Sequence, residues 1–138
     1  MINLSLTYTP FVSLTGTAPG ASRTYDNDDI TNSGVPKPVN IGTMGLESNV
    51  GGICDLTFTT ANTFKLLHTV TNNNLGNYKI HYKGLEFNEI NNPLLSLPCT
   101  STATDIDFEL NSFGFSNIDP FLDSGTYQDV ITVVVTTQ

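Results

Sequence analysis

The chain has 138 residues, a formal net charge of −8 and a pI near 4.3, and only 13% of its residues are charged. That length suits one domain with one core, and five Lys and Arg in all argue against a nucleic-acid partner and against docking on an anionic membrane surface. No apolar run approaches the roughly 18 residues of a membrane helix, while 20 Thr and 15 Asn carry the polarity that charges usually supply, which is strand and turn chemistry and points to an all-β protein.

The first element is a strand over residues 2–15. Ile2, Leu4, Leu6, Tyr8, Val12 and Leu14 occupy even positions and Asn3, Ser5, Thr7, Thr9, Ser13 and Thr15 odd ones, with only Pro10 and Phe11 breaking the alternation. Such a strand has one apolar and one polar face. Residues 1–20 lack a positively charged start followed by an apolar run. A cytosolic chain and a mature form of an exported one both fit that pattern. Gly16 to Pro38 then reads as a long irregular stretch, rich in turn formers such as Pro19-Gly20 and Asn32-Ser33-Gly34. A loop of that length inside one domain points to function or linkage.

Six further strands follow in chain order. They are predicted over Val39–Leu46, Ile53–Thr60, Phe64–Val70, Asn77–Phe87, Asp105–Leu110 and Tyr127–Thr137, and they alternate by two. Phe64, Leu66, His68 and Val70 share one predicted face; Tyr78, Ile80 and Tyr82 share another. Strands at this spacing imply an antiparallel sandwich or barrel.

Candidate chemistry is sparse. Asp105, Asp107 and Glu109 lie on one face of a strand, where a solvated surface explains them better than the paired carboxylates of a glycosidase. Asp26, Asp28 and Asp29 lack the EF-hand spacing, because Ile30 stands where an Asp or Asn is required. His68 and His81 are the only histidines, and the cysteines have no CxxC spacing, so no metal ligand set and no cofactor are read here. No nucleophile elbow and no glycine-rich phosphate cradle appears. The reading is of a non-catalytic protein. Cys54 and Cys99 suit one structural disulfide made in an oxidising compartment, with two buried free thiols as the alternative. If bridged, they close a loop of about 45 residues, worth roughly 4 kcal/mol.

The leading strand is the most informative feature. It is apolar enough to need burial, yet a long loop separates it from the body. It can pack on its own domain, or it can complete the sheet of another copy, with main-chain ladder bonds for affinity and side-chain pockets for register. The second arrangement is head-to-tail and propagates a fibre.

Four segments carry a resemblance: the alternating extension Ile2–Val12; Cys54-Asp55-Leu56-Thr57-Phe58-Thr59-Thr60 followed by Phe64-Lys65-Leu66; Tyr78-Lys79-Ile80-His81-Tyr82; and the closing Ser124-Gly125-Thr126-Tyr127 with the alternating strand after it. In this layout the chain resembles pilin subunits of the chaperone–usher pathway, nearer the alternate and archaic, spore-coat-U-like groups than the type 1 pilins. The resemblance implies an incomplete immunoglobulin-like sandwich of six strands, residues 16–138, preceded by a donor-strand extension, residues 1–15. It makes Ile2, Leu4, Leu6, Tyr8 and Val12 the groove-filling residues, with Leu14 left open. It makes Tyr127, Ile131, Val133 and Val135 the strand bordering the groove. It further implies other pilin copies, a periplasmic chaperone and an outer-membrane usher as partners, export through the periplasm, and a place in an extracellular adhesive pilus. The rival reading is a self-contained secreted β-sandwich that binds a carbohydrate or protein ligand, against which stands the absence of Trp, the usual sugar-stacking platform.

Overall fold

The structure is a computed structural model that describes residues 2–8, 13–18, 20, 22–25, 29, 31–32, 35–49, 51–111 and 125–138. Among these residues the chain is all-β. The strands are β1 (Ile2–Tyr8), β2 (Ser13–Thr15), β3 (Ser22–Tyr25), β4 (Thr31–Asn32), β5 (Val35–Pro36), β6 (Val39–Glu47), β7 (Ile53–Thr60), β8 (Lys65–His68), β9 (Asn74–Tyr82), β10 (Leu85–Phe87), β11 (Leu95–Pro98), β12 (Ser101–Leu110) and β13 (Tyr127–Thr137). Eleven of them form one mixed sheet in the order β11-β7-β13-β8-β9-β12-β6-β2, with β1 on β13, β3 on β1 and β10 on β9; β4 and β5 pair separately.

The sheet curls where β9, which also carries β10, passes from β8 to β12. Its first residues pair with β8, Lys65 opposite Asn77 and Leu66 opposite Gly76. Its later residues pair with β12, from Leu110 opposite Tyr78 to Ile106 opposite Tyr82. The two arms therefore fold toward each other over one core. Phe58 of β7 meets Phe87 edge-on at 4.6 Å and Tyr82 at 6.0 Å, and Tyr78 lies 4.9 Å from Phe108. Period-two alternation drives this burial: on β13, Tyr127, Ile131, Val133 and Val135 face inward and are buried.

The six body strands stand where alternation places them, with physical adjustments at their ends. The predicted Phe64–Val70 strand shortens to β8. Phe64 adopts φ 56° ahead of it, and Val70 falls in a turn and is 81% exposed rather than sharing the face of Leu66 and His68. The predicted Asn77–Phe87 strand is a hairpin, β9 and β10, turned by Lys83 (φ 53°) and Gly84 (φ 77°), two consecutive left-handed residues that match the twist of a two-residue loop. On β6 the alternation is interrupted. Ile41 and Gly42 are both buried, Gly42 has φ 137°, and the β6–β12 register shifts beside it, so the strand carries an irregularity that keeps both Ile41 and Met44 inside.

Three expectations are corrected. The 2–15 strand is two strands with different partners, because β1 pairs with β13 and β2 with β6. The sheet is not wholly antiparallel, since β1 and β13 run parallel. The Gly16–Pro38 stretch is not structureless: β3, β4 and β5 lie within it, and Ala18 is fully buried against Gly42 and bonded by its N–H to the Thr43 carbonyl at 2.9 Å.

The Cys54 and Cys99 thiols are joined in a disulfide, with Cα atoms 5.0 Å apart, tying the start of β7 to the chain just after β11.

Candidate functional site: the strand position between β13 and β3

β1 forms because Ile2, Leu4 and Leu6 alternate with Asn3 and Ser5. The three apolar side chains are almost fully buried, at 1%, 1% and 2% exposure. On one side β1 pairs in parallel with β13, from Ile2 opposite Tyr127 to Tyr8 opposite Val133. On the other side it pairs antiparallel with β3, from Ile2 opposite Tyr25 to Ser5 opposite Ser22. β3 has no other ladder partner among the described residues, so β13 and β3 meet only through β1. Polar bonds hold the outer side: the Ser22 hydroxyl donates to Asn3 Oδ1 at 2.8 Å, and the Gly20 N–H donates to the Leu6 carbonyl at 2.9 Å.

The leading strand thus lies in the sheet of its own chain. Of the five groove-filling candidates, Ile2, Leu4 and Leu6 point into the core. Tyr8 pairs by its backbone with Val133, its side chain falling outside what the structure describes, and Val12 lies outside the described residues. Leu14 belongs to β2, opposite Leu46, on a different arm of the sheet. Tyr127, Ile131, Val133 and Val135 are buried on β13; the first three stand within the span that pairs with β1.

β13 is discontinuous on its other side. Gln128 pairs with Leu67 of β8, and pairing resumes only at Ile131 with Thr60 of β7. Asp129 fills this break. Its side chain is 2% exposed. Oδ1 accepts the N–H of Asn62 at 2.9 Å and of Val130 at 2.8 Å, and Oδ2 accepts the Tyr78 hydroxyl at 2.7 Å. The turn it secures is strained, since Thr63 (φ 55°) and Phe64 (φ 56°) are both left-handed. Burial pushes the Asp129 carboxyl above the usual range, against the lowering effect of the Tyr78 hydroxyl, the two N–H donors and Thr60. Burial and the neighbouring Asp129 charge push Tyr78 well above the usual tyrosine value. Periodicity alone counts Asp129 as one more residue of the last strand. Its signal is parity, because it is the one carboxylate at an inward position between Tyr127 and Ile131.

The remaining polar candidates lie elsewhere. Asp107 and Glu109 of β12 stand opposite His81 and Lys79 of β9 on the outward face. There Glu109 lies 3.1 Å from Lys79 and 3.6 Å from His81 Nε2, and Lys79 also lies 3.6 Å from Glu86. Asp105 is exposed, as is Asp29; Asp26 and Asp28 lie outside the described residues. His68 is buried at 6% exposure, and its Nδ1 accepts the N–H groups of Val70 and Thr71, both at 3.1 Å. This bonding makes it a turn-holding residue. Among the described residues no group of three or more His, Cys, Asp and Glu is placed to hold a metal ion, and no helix is long and apolar enough to cross a membrane.

What the site can do is hold a strand. It offers two ladder edges of opposite sense and an apolar interior for alternate side chains. No family model, curated protein or solved structure matches the chain.

Proposed function

We propose that the protein is a structural, non-catalytic subunit of an extracellular adhesive fimbrium, and that copies assemble by exchanging β1 into one another's β13–β3 position. The observation that carries this is the seating of β1. An uncharged strand with one apolar face fills a place whose two walls, among the described residues, meet only through it. Everything β1 contacts in its ladders would be served equally by the β1 of a second copy, which is the condition for strand exchange. In this reading the curled sheet is an immunoglobulin-like sandwich and β1 occupies its seventh-strand place. A chain with β1 withdrawn exposes a strand edge and an apolar interior, an aggregation hazard. A periplasmic chaperone that covers it before assembly and an outer-membrane usher belong to the same reading, as does export through the periplasm, where the disulfide would form.

A second reading draws on the same pairing. Because β1 completes its own chain's sheet, a self-contained secreted β-sandwich that binds a carbohydrate or protein ligand is the alternative.

The test is complementation in trans. A chain lacking residues 1–8 is mixed with a peptide of residues 1–8. The exchange reading predicts that the shortened chain is recovered as a stable, monodisperse complex with the peptide. Failure of the peptide to bind a shortened chain that keeps its disulfide would favour the self-contained module.

A further inference from the structure

We infer that Asp129 is a positioning residue for strand capture: its carboxylate holds β13 as a ready template while the β1 position is open. This rests on the exchange reading above. β1 pairs without interruption along Tyr127–Val133 and so splints the break where β13 passes from β8 to β7. When β1 leaves, the 127–130 part of β13 keeps only Tyr127 and Gln128 in the β8 ladder. The ties across the break include three bonds to the 61–62 turn, the reach to Tyr78 and the Thr60 side chain on Asp129. The Ala61 N–H donates to the Val130 carbonyl at 3.0 Å, Asn62 Nδ2 donates to the Gln128 carbonyl at 3.1 Å, and the Asn62 N–H and the Tyr78 hydroxyl both donate to Asp129. None of these bonds involves β1. All survive its departure, and three of them end on one carboxylate. Leu4 stands directly opposite that residue, so the template is held firm at the middle of the incoming apolar run. A leucine at position 129 would fill the same space and suit a closed core, as apolar replacements of buried ionic groups often do. It would take from β13 its bonds to the Asn62 N–H and the Tyr78 hydroxyl in the open form, leaving the Asn62 Nδ2 bond to the Gln128 carbonyl.

The experiment uses the full chain and a fluorescent peptide of residues 1–8 in excess. Peptide uptake is measured together with hydrogen exchange of the β1 amides, and uptake is divided by the opening rate. The variants are Asp129→Leu, Asp129→Asn, Tyr78→Phe and Leu97→Ala, the last a core truncation in β11, away from the site. For Asp129→Leu and Tyr78→Phe the expected normalised uptake is about tenfold below the unaltered chain, the scale set by a lost buried hydrogen bond. Asp129→Asn, whose amide oxygen accepts the Asn62 N–H and whose NH₂ can donate to the Tyr78 oxygen, and Leu97→Ala stay near the unaltered value. A merely structural role would instead raise opening and leave the normalised uptake unchanged. Equal normalised uptake by Asp129→Leu and Leu97→Ala overturns the inference and leaves the exchange reading standing. If Asp129→Leu does not fold, Tyr78→Phe, which keeps the ring in place, decides alone. No uptake by the unaltered chain removes both the exchange reading and the inference.

Discussion

Leu4 of β1 and Asp129 of β13 stand opposite one another in a parallel ladder, an apolar side chain and a carboxylate, both almost fully buried. The pair sits where the leading strand meets the break in its neighbour. Truncation on the Leu4 side should therefore cost more than its place near one edge of the sheet would imply. Leu4→Ala is expected to lose about 2–5 kcal/mol. Asn3→Ala, on the outward face, loses one exposed bond to Ser22 and is expected to cost no more than about 1 kcal/mol. Urea unfolding midpoints of the two variants measure the contrast.

Alkali should destabilise the fold through its tyrosines. Tyr78 is raised well above the usual value of 10.0 by burial and by Asp129, and Tyr82 and Tyr25 are raised by burial. A folded-state pKa above the unfolded one gives a contribution that is fully present below pH 10 and is lost as pH rises through the folded value. Stability should thus be level approaching pH 10 and fall above it, with tyrosinate absorbance rising together with unfolding. Tyr78→Phe should flatten this fall while lowering stability at neutral pH by about 1–3 kcal/mol, because Asp129 Oδ2 loses its donor. Asp129 acts with the same sign in the acid range. Its raised carboxyl contributes fully below the usual 3.8 and loses that contribution as pH climbs through the folded value, so Asp129→Asn should remove this component.

The disulfide closes a separation of 45 residues between β7 and the end of β11. Replacing both cysteines by serine is expected to cost about 4 kcal/mol, the loop-closure entropy restored to the unfolded chain. Denaturant unfolding of the double variant checks the magnitude, and the mass of the intact chain with and without reductant checks the bridge.

Gly42 is the point where the segment after β2 crosses β6. A Cβ there would lie 2.9 Å from the Ala18 Cβ, and its φ of 137° is one that side chains rarely adopt. Gly42→Val is expected to cost about 2–4 kcal/mol and to release Ala18 and its bond to Thr43. Hydrogen exchange at the Ala18 amide reports the release.

The body strands were legible because burial on one face leaves a period of two, and the inward residues of β7, β9, β12 and β13 follow it. Partner choice was not legible, since alternation marks which side of a strand is buried and not which strand lies beside it. Residues 2–15 keep one parity apart from Pro10 and Phe11, yet β1 and β2 lie on different arms, and nothing in the alternation marks β1 as parallel to β13. The short strands β3, β4 and β5 are two to four residues long, too few to show a period among turn formers. Asp129 was hidden by its setting in a Val- and Thr-rich strand; its role comes from the break between β8 and β7, which only the pairing reveals.

Cross-linking between copies tests the exchange of β1 most directly. Asn3 and Gln128 face each other in the β1–β13 ladder, and the chain's own cysteines are bridged. One population carries Asn3→Cys and a second carries Gln128→Cys; they are mixed, concentrated and oxidised. Exchange of β1 between copies gives a disulfide-linked species between the two populations, its yield rising with concentration. Only unlinked chains in the mixture, when Asn3→Cys and Gln128→Cys in a single chain do close on each other, would contradict it.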